Sequence, residues 1–389
     1  MTIRSSLFLS CFLLFRLSAL EAQADSNYIH ELDMIFVGDI MGHGPQIKSA
    51  EIIKDSIYDY TPCFEYVAPI LREADLAIGN LELTLPGKGP YSGYPRFRSP
   101  DQLADALQQA GFDLLVTANN HSNDGNKIGL EQTIKSLRSR YFYQTGTFLN
   151  QLDRDVFYPL IVYKGVFKLA FLNYTYGTNG LPTPQPNIVN LIDEEQIQAD
   201  LETARQLEPD FIIVLMHWGY EYQINENKAQ KALSKKILEW GGDLIVGAHP
   251  HVVQPVKKMV VTRPDSTQFE GIVAYSLGNF ISNQRKTLTD LGLMLDIKLQ
   301  KNLLTNETRL IDHSYIPVYR HIETPKSGKR TYRVLPISTF ESAAWENVLL
   351  NKETRKAMQA TAKKIRDHLF KFDSRERIVS LPQHLIEQE

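Results

Sequence analysis

Six short apolar runs punctuate this chain, and each ends directly in a cluster of polar, chemistry-bearing residues. Met34–Val37 leads into Gly38-Asp39, and Asp75–Ile78 into Gly79-Asn80-Leu81-Glu82. Asp113–Val116 leads into Asn119-Asn120-His121, and Phe211–Leu215 into His217-Trp218-Gly219. Asp243–Val246 leads into His249-Pro250-His251, and Gly271–Tyr275 into Ser276-Leu277-Gly278-Asn279. Unbroken β-branched and apolar runs of this length suit strands covered on both faces. Helix-like segments lie between them. One, capped by Ser99 or Asp101, runs through Leu103, Ala106, Leu107 and Ala110 and stops at Gly111; others span Ile128–Leu137, Glu194–Leu207 and Ala229–Trp240. Strands alternating with helices predict an α/β fold of layered sheets flanked by helices. In open α/β sheets the carboxyl ends of the strands share one edge, and ligands bind there. Polar groups far apart in sequence are therefore expected to converge.

The 389 residues, 43% of them hydrophobic, can bury a substantial core. A net charge of −3 offers no global field for nucleic acid, which is excluded as a partner. There is no internal repeat or low-complexity tract. One large domain is expected over 31–322, followed by a C-terminal helical extension over 337–389. In that extension Met358, Ala362, Ile365, Leu369 and Phe372 recur at helical spacing among Lys and Arg, an amphipathic helix. Docking on the parent domain is the expectation; a membrane-surface or partner helix is the alternative. Gly177–Asn187, rich in Gly, Pro, Thr and Asn, reads as a loop flanking the site.

Residues 1–24 read as an export signal: Arg4, an apolar stretch Leu7–Phe15, and the small-x-small pattern Ala22-Gln23-Ala24. Arg16 leaves the apolar stretch too short to span a bilayer comfortably, and no transmembrane helix is expected in the mature chain. Cys11 as a lipid-attachment site is the competing reading. With the signal removed Cys63 stands alone, read as a small buried apolar residue without a disulfide partner.

Of ten histidines, His121, His217, His249 and His251 follow apolar runs. Neutral imidazole is the commonest metal ligand. A single histidine after a strand is ordinarily a satisfied structural residue; packing does not account for four, with Asp39, Glu82 and Asn120 in equivalent places. The absence of cysteine from the set argues against a structural zinc knot. Mixed oxygen and nitrogen donors suit divalent Mn, Fe or Zn, as two ions bridged by a carboxylate that activate water and clamp a phosphoester. A histidine outside the ligand set could then protonate the leaving group.

The ordered motifs are Gly38-Asp39-x-Met41, Asn80-Leu81-Glu82, Asn119-Asn120-His121-x-x-Asp124, His217-Trp218-Gly219-x-Glu221-Tyr222, Gly247-x-His249-Pro250-His251 and Tyr275-Ser276-Leu277-Gly278-Asn279-Phe280. Together, over roughly Asp33 to Gln284, they resemble the bacterial capsule-synthesis CapA family. That family is associated with poly-γ-glutamate capsule production and is similar in fold to calcineurin-like metallophosphoesterases. The resemblance implies Asp39, Glu82, Asn120, His217, His249 and His251 as metal ligands, with Glu82 bridging. It implies His121 as proton donor, oriented by Asp124. Glu221 would support the ligands and, with Tyr222 and Asn279, face the substrate. Arg96 or Arg98 would bind an anionic group, a surface ion pair being the plainer reading for either.

Three positions depart from the pattern. Met41 stands where phosphoesterases of the parent fold carry a histidine, with His43 nearby either as a replacement or as a solvent-facing loop residue. Asn126 stands where the family has glycine, and asparagine tolerates the left-handed conformation. The proline usual after the Glu-Tyr pair is missing from Gln223–Ala229, although Gln230 is present.

Two functions fit. One is an exported hydrolase, periplasmic or envelope-associated, acting on a phosphoester or an envelope polymer. The other is a non-catalytic component that binds poly-γ-glutamate or a similar anionic polymer and assists its export. Capsule-synthesis proteins of the envelope are the expected partners in either case. No G-x-S-x-G is present, Ala274–Gly278 being a near miss, and Gly87-Lys88-Gly89 precedes Pro90 rather than completing a phosphate loop. Intact-mass measurement of protein from an envelope fraction should give a chain beginning near Asp25; a cytoplasmic chain that keeps residues 1–24 would refute the export reading.

Overall fold

The computed structural model describes residues 28–54, 56–324, 328–345 and 349–385; the segment read as an export signal lies outside them. The chain starts one sheet, builds a second, then returns to the first. The first pass lays down β1 (Ile29–Ile40), β2 (Leu76–Leu81), β3 (Leu114–Val116) and β4 (Tyr143–Thr145), all parallel. The second sheet comprises β5 (Leu160–Lys164), β6 (Phe167–Thr175), β7 (Phe211–His217), β8 (Leu244–Ala248), β9 (Val256–Thr262) and β10 (Gln268–Ala274). Its order is β9-β10-β8-β7-β6-β5, with β6, β7, β8 and β10 parallel. The return adds β11 (Asn279–Ile281), β12 (Leu291–Asn302), β13 (Glu307–Glu323) and β14 (Thr331–Pro336). The first sheet then reads β14-β13-β12-β1-β2-β3-β4, with β11 also paired to β1.

Side-chain alternation sets what each strand offers. On β7, Ile213 and Leu215 join the core shared with Val37 and Leu115 of the first sheet. Ile212, Val214 and Met216 point the other way, against Ile197, Leu201, Leu233 and Ile237 of helices Glu194–Gln206 and Lys228–Glu239. Both faces are covered, which is why the run is uninterrupted. His217, the last residue of β7, keeps the parity of Ile213 and Leu215 and so faces the opposite sheet.

The helices predicted at Gly111 and Gly241 stop there, with φ of +108° at both glycines. Helix Asn126–Ser139 opens on Asn126 at φ +52°, so asparagine takes the left-handed turn that glycine would otherwise supply. Helix Lys352–Leu369 buries Met358, Ala362, Ile365 and Leu369 in the main core and packs on helix Ile337–Glu341, which leaves its apolar stripe no membrane face. Phe372, the last of the predicted series, is instead partly exposed and sits under Lys257 Nζ at 4.2 Å. No helix among the described residues is long and apolar enough to cross a membrane. Cys63 is buried, and burial pushes its thiol up to about 12.

The join between β1 and β11 is the tightest point of the scaffold. A Cβ on Gly38 would stand 1.9 Å from the carbonyl oxygen of Gly278, which accepts the Asp39 N–H at 2.9 Å. Neither backbone can retreat without breaking the ladder that positions Asp39. Gly38→Ala should therefore lose about 1–3 kcal/mol or more in urea unfolding, the range for overpacking a closed site. Unchanged stability would show that the two strands are free to part.

Candidate metal centre

The parallel strands of both sheets end on the same side, and the polar clusters that follow them meet there. Asp39 closes β1, Glu82 and Asn120 follow β2 and β3, His217 closes β7, and His249 and His251 follow β8. All six are buried, with Asp39 and Glu82 fully inaccessible. Two groups have donor atoms close enough to share an ion: Glu82, His217 and His249; and Asp39, Glu82 and His251. Glu82 belongs to both.

The polar accounting around these groups is uneven. Asp39 is well met. Asn80 Nδ2 donates to its Oδ1 at 2.8 Å, His251 Nδ1 lies 3.0 Å from its Oδ2, and the His249 N–H approaches at 3.4 Å. Among the described residues, neither Glu82 oxygen meets a hydrogen-bond donor. Its nearest cationisable neighbours are His217 Nε2 at 3.7 Å, His251 Nε2 at 3.8 Å and His121 Nε2 at 3.9 Å. His249 Nδ1 is likewise buried without a partner. Buried polar atoms are nearly always satisfied, so an orphaned carboxylate beside an orphaned imidazole nitrogen calls for an occupant. Burial first, then the charge of Asp39 and a proton shared with it, and then the charges of Glu221 and Asp124, hold the Glu82 carboxyl well above its usual range. Burial and the neighbouring histidines hold His217 well below 6.5 and His249 at about 3, so both rings are neutral and offer lone pairs. A divalent cation fits this donor set: buried carboxylate oxygens, imidazoles without charge, and no thiolate.

The backbone is strained where it presents the ligands. His249 (φ +98°), His251 (φ +59°) and Tyr222 (φ +67°) are non-glycine residues in the left-handed region, two of them flanking Pro250. The Tyr222 N–H donates to the Pro250 carbonyl at 2.8 Å, tying the loop after β7 to the His249-Pro250-His251 turn. Such strain persists only where the surroundings enforce it.

Asn120 and His121 diverge, as neighbours leaving a strand do. Asn120 Oδ1 lies 2.8 Å from His217 Nε2. His121 Nδ1 lies 2.6 Å from Asp124 Oδ2, which also accepts the Phe97 N–H at 2.6 Å. The Phe97 ring meets His121 edge-on at 4.5 Å. With Nδ1 donating to Asp124, Nε2 is the nitrogen left facing Glu82.

The remaining sequence-derived residues are less closely held. Asn279 Oδ1 lies 3.1 Å from His251 Nδ1, placing Asn279 behind that ligand. Tyr222 is half-buried with its ring 6.1 Å from His251, and Glu221 is exposed. Arg96 is exposed, with its Nη1 3.5 Å from Asn126 Oδ1. Arg98 is half-buried, and its Nε has no partner among the described residues. Neither arginine contacts the ligands. His43 is not solvent-facing and is not in either ligand group: its Nδ1 sits 3.1 Å from Gln46 Oε1 and 3.2 Å from the Asn283 N–H. Met41 is buried. The 177–187 loop does flank the site, with Asn179 accepting from Asn120 and Leu181 from Asn123.

Three residues escaped the sequence reading. Asn80 was visible only as a motif letter, yet it braces Asp39 and lies 3.2 Å from His217 Nδ1. Tyr176 follows β6 and sets its ring 4.5 Å from His249. Lys286 holds its Nζ 3.6 Å above the Tyr222 ring.

Residues 33–284 match the family model described as bacterial capsule synthesis protein PGA_cap. The capsule biosynthesis protein CapA of Bacillus anthracis is 30% identical over 333 residues, 81% of this chain and 75% of that protein. The PGA biosynthesis protein CapA of Bacillus subtilis is 27% identical over 285 residues, 70% of this chain and 68% of that one. Among solved structures, the chain is similar to the calcineurin-like phosphoesterase YfkN from Bacillus subtilis, at 12% identity and TM-score 0.41, covering 87% of this chain and 99% of that one. A novel phosphatase from Mycoplasma pneumoniae matches at 16% identity and TM-score 0.41, covering 75% and 94%.

The Glu82 carboxyl yields a test of the ion. Its folded pKa is raised, so the metal-free fold keeps a proton that the unfolded chain releases above about 4.5. Its contribution is therefore full below that pH and is lost as pH rises towards the folded pKa. His217 and His249 act in the opposite sense, costing stability as pH falls below 6.5, and they do so in parent and variant alike. Metal-free Glu82→Gln should thus melt above the metal-free parent at pH 7, with the gap closing towards pH 4.5. Added Mn²⁺ or Zn²⁺ should reverse the order by stabilising only the parent. A variant that melts lower throughout and still responds to metal would remove Glu82 from the centre.

Proposed function

The chain belongs to the bacterial capsule synthesis protein family PGA_cap, and we propose that it is an exported, metal-dependent hydrolase acting on a phosphoester or an envelope polymer. The observation that carries this reading is the buried, unpaired Glu82 carboxylate shared by two ligand groups, with His121 poised beside it. Asp39, Glu82, Asn120, His217, His249 and His251 would hold the ion or ion pair, of the Mn, Fe or Zn class. When bound, the metal supplies Lewis-acid polarisation of a phosphoryl oxygen and of attacking water.

The protein's own part is positioning and proton handling. Asp124 fixes the His121 tautomer and ring orientation, so that a proton carried at Nε2 is directed to the cluster side. Phe97 restrains the ring edge-on. Tyr176 beside His249 and Tyr222 beside His251 form aromatic walls that limit water at the ligands. Action in the envelope, alongside other capsule-synthesis proteins, accords with the family and with the N-terminal sequence.

Loss of ligands and loss of the proton donor should separate. A folded His249→Ala, His251→Ala double variant should lose its metal. His121→Ala should keep metal and fold but lose roughly 10²–10⁴-fold in rate on substrates with poor leaving groups. A good leaving group, which needs no proton, should show a smaller loss. If His121→Ala sheds metal, it is a ligand. If the metal-loaded parent turns over neither phosphoesters nor envelope polymer, the non-catalytic, polymer-binding role replaces the hydrolase.

A further inference from the structure

We propose that Lys286, set over Tyr222 beside His251, forms an anion-binding subsite that takes the non-reacting oxygens of a phosphate-type group. The proposal rests on the hydrolase reading for its substrate and adds the residue that would recognise it.

A phosphate-type group offers oxygens beyond those that a bound ion would polarise, and a cationic side chain beside the ligand cluster suits them. Arg96 and Arg98, the cations expected from sequence, show no contact with the ligand groups among the described residues. Lys286 stands on a ring that adjoins one of them. Its Nζ lies 3.6 Å from the centroid of the Tyr222 ring, and that ring lies 6.1 Å from His251.

Lys286 is exposed, but the geometry around it is fixed from two sides. On one side, Tyr222 is held at φ +67° by its N–H bond to Pro250, between the two ligand histidines. A cation resting on a ring face is attracted by the ring quadrupole and needs no carboxylate to hold it. Its N–H donors thus stay open to an anion. On the other side, the loop that carries Lys286 is clipped to the metal centre by one residue. Asn279 reaches His251 through Oδ1, and its Nδ2 donates to Gln284 Oε1 at 3.0 Å and to the Thr289 carbonyl at 2.9 Å. Thr289 Oγ1 in turn donates to the Lys286 carbonyl at 2.7 Å. Both ends of the loop are therefore tied to a candidate ligand, and the Tyr222 ring face locates the ammonium group.

Inorganic phosphate is the probe, titrated into the metal-loaded protein with metal content measured in every variant. Lys286→Met should keep its metal and bind phosphate about 10- to 100-fold more weakly, the factor for one charge-assisted hydrogen bond. Lys286→Arg should restore most of the affinity. Tyr222→Leu should weaken binding through loss of the platform, and Lys286→Met should add little to it. Equal phosphate affinity in parent and Lys286→Met overturns the subsite, as does metal loss in Lys286→Met or a metal-loaded parent that binds no phosphate. The hydrolase reading is judged separately, by turnover. A parent that hydrolyses a phosphoester while Lys286→Met binds phosphate normally keeps the reading and loses the subsite. A parent without turnover whose phosphate binding depends on Lys286 loses the reading and keeps the subsite.

Discussion

Glu82 is a carboxylate carried to a place where no hydrogen-bond donor meets it. Burying such a group unpaired is among the most costly things a fold can do, and proteins avoid it by neutralising the group or by giving it a cation. Much of the surrounding chemistry follows from that constraint. Protonated histidines around Glu82 would compensate it, but burial and mutual proximity keep His217 and His249 neutral. Asp39 already receives Asn80 and His251, and its charge adds to the penalty on Glu82. What remains is an arrangement of lone pairs directed at a shared space, and a divalent cation is the species that satisfies all of them together.

The candidate ligands are divided between the sheets. Asp39, Glu82 and Asn120 come from the first pass of the chain, and His217, His249 and His251 from the second sheet. Asn279, which braces His251, comes from the return through β11. Neither sheet can assemble the centre alone, so ion binding is coupled to their packing. A metal that binds only the assembled form adds its binding free energy to the fold. The coupling also explains how strain at His249 and His251 is tolerated: the contacts of both sheets hold that turn in place.

The parts of this architecture legible in sequence are those where one face or period says everything. Phe211–Leu215 and Asp243–Val246 are covered on both sides, so they read as unbroken apolar runs, and the histidines after them stand out. β6 was missed because its apolar residues Leu169–Leu172 give way to Asn173, Tyr174 and Thr175 while still in the strand, which hides Tyr176 beyond them. β12 and β13 were missed because they end in no chemistry and, in β12, alternate with Asp296, Lys298 and Gln300 on the half-buried face. The ligand types were legible because few residues bind metal. Supporting roles were not, since the bond from Asn80 to Asp39 and the ring beneath Lys286 exist only after distant segments have met.

The turn after β3 shows how precision is built from short polar residues. Asn119 donates from Nδ2 to the Leu81 carbonyl at 2.8 Å, pinning the turn to the segment that carries Glu82. Its Oδ1 accepts the His121 N–H at 3.0 Å, and its own N–H is taken by Ser122 Oγ at 2.9 Å. Ser122 Oγ donates back towards the Thr117 carbonyl at 2.6 Å. Asparagine and serine make such local bonds readily, which is why they favour turns over regular structure. With both backbone directions fixed, Asn120 is committed to His217 and His121 to Asp124, less than one helical turn apart in sequence. The orientations of Asn120 and His121, the proposed ligand and proton donor, are thus settled when the chain folds, which on the hydrolase reading would leave little reorganisation for the moment a substrate arrives.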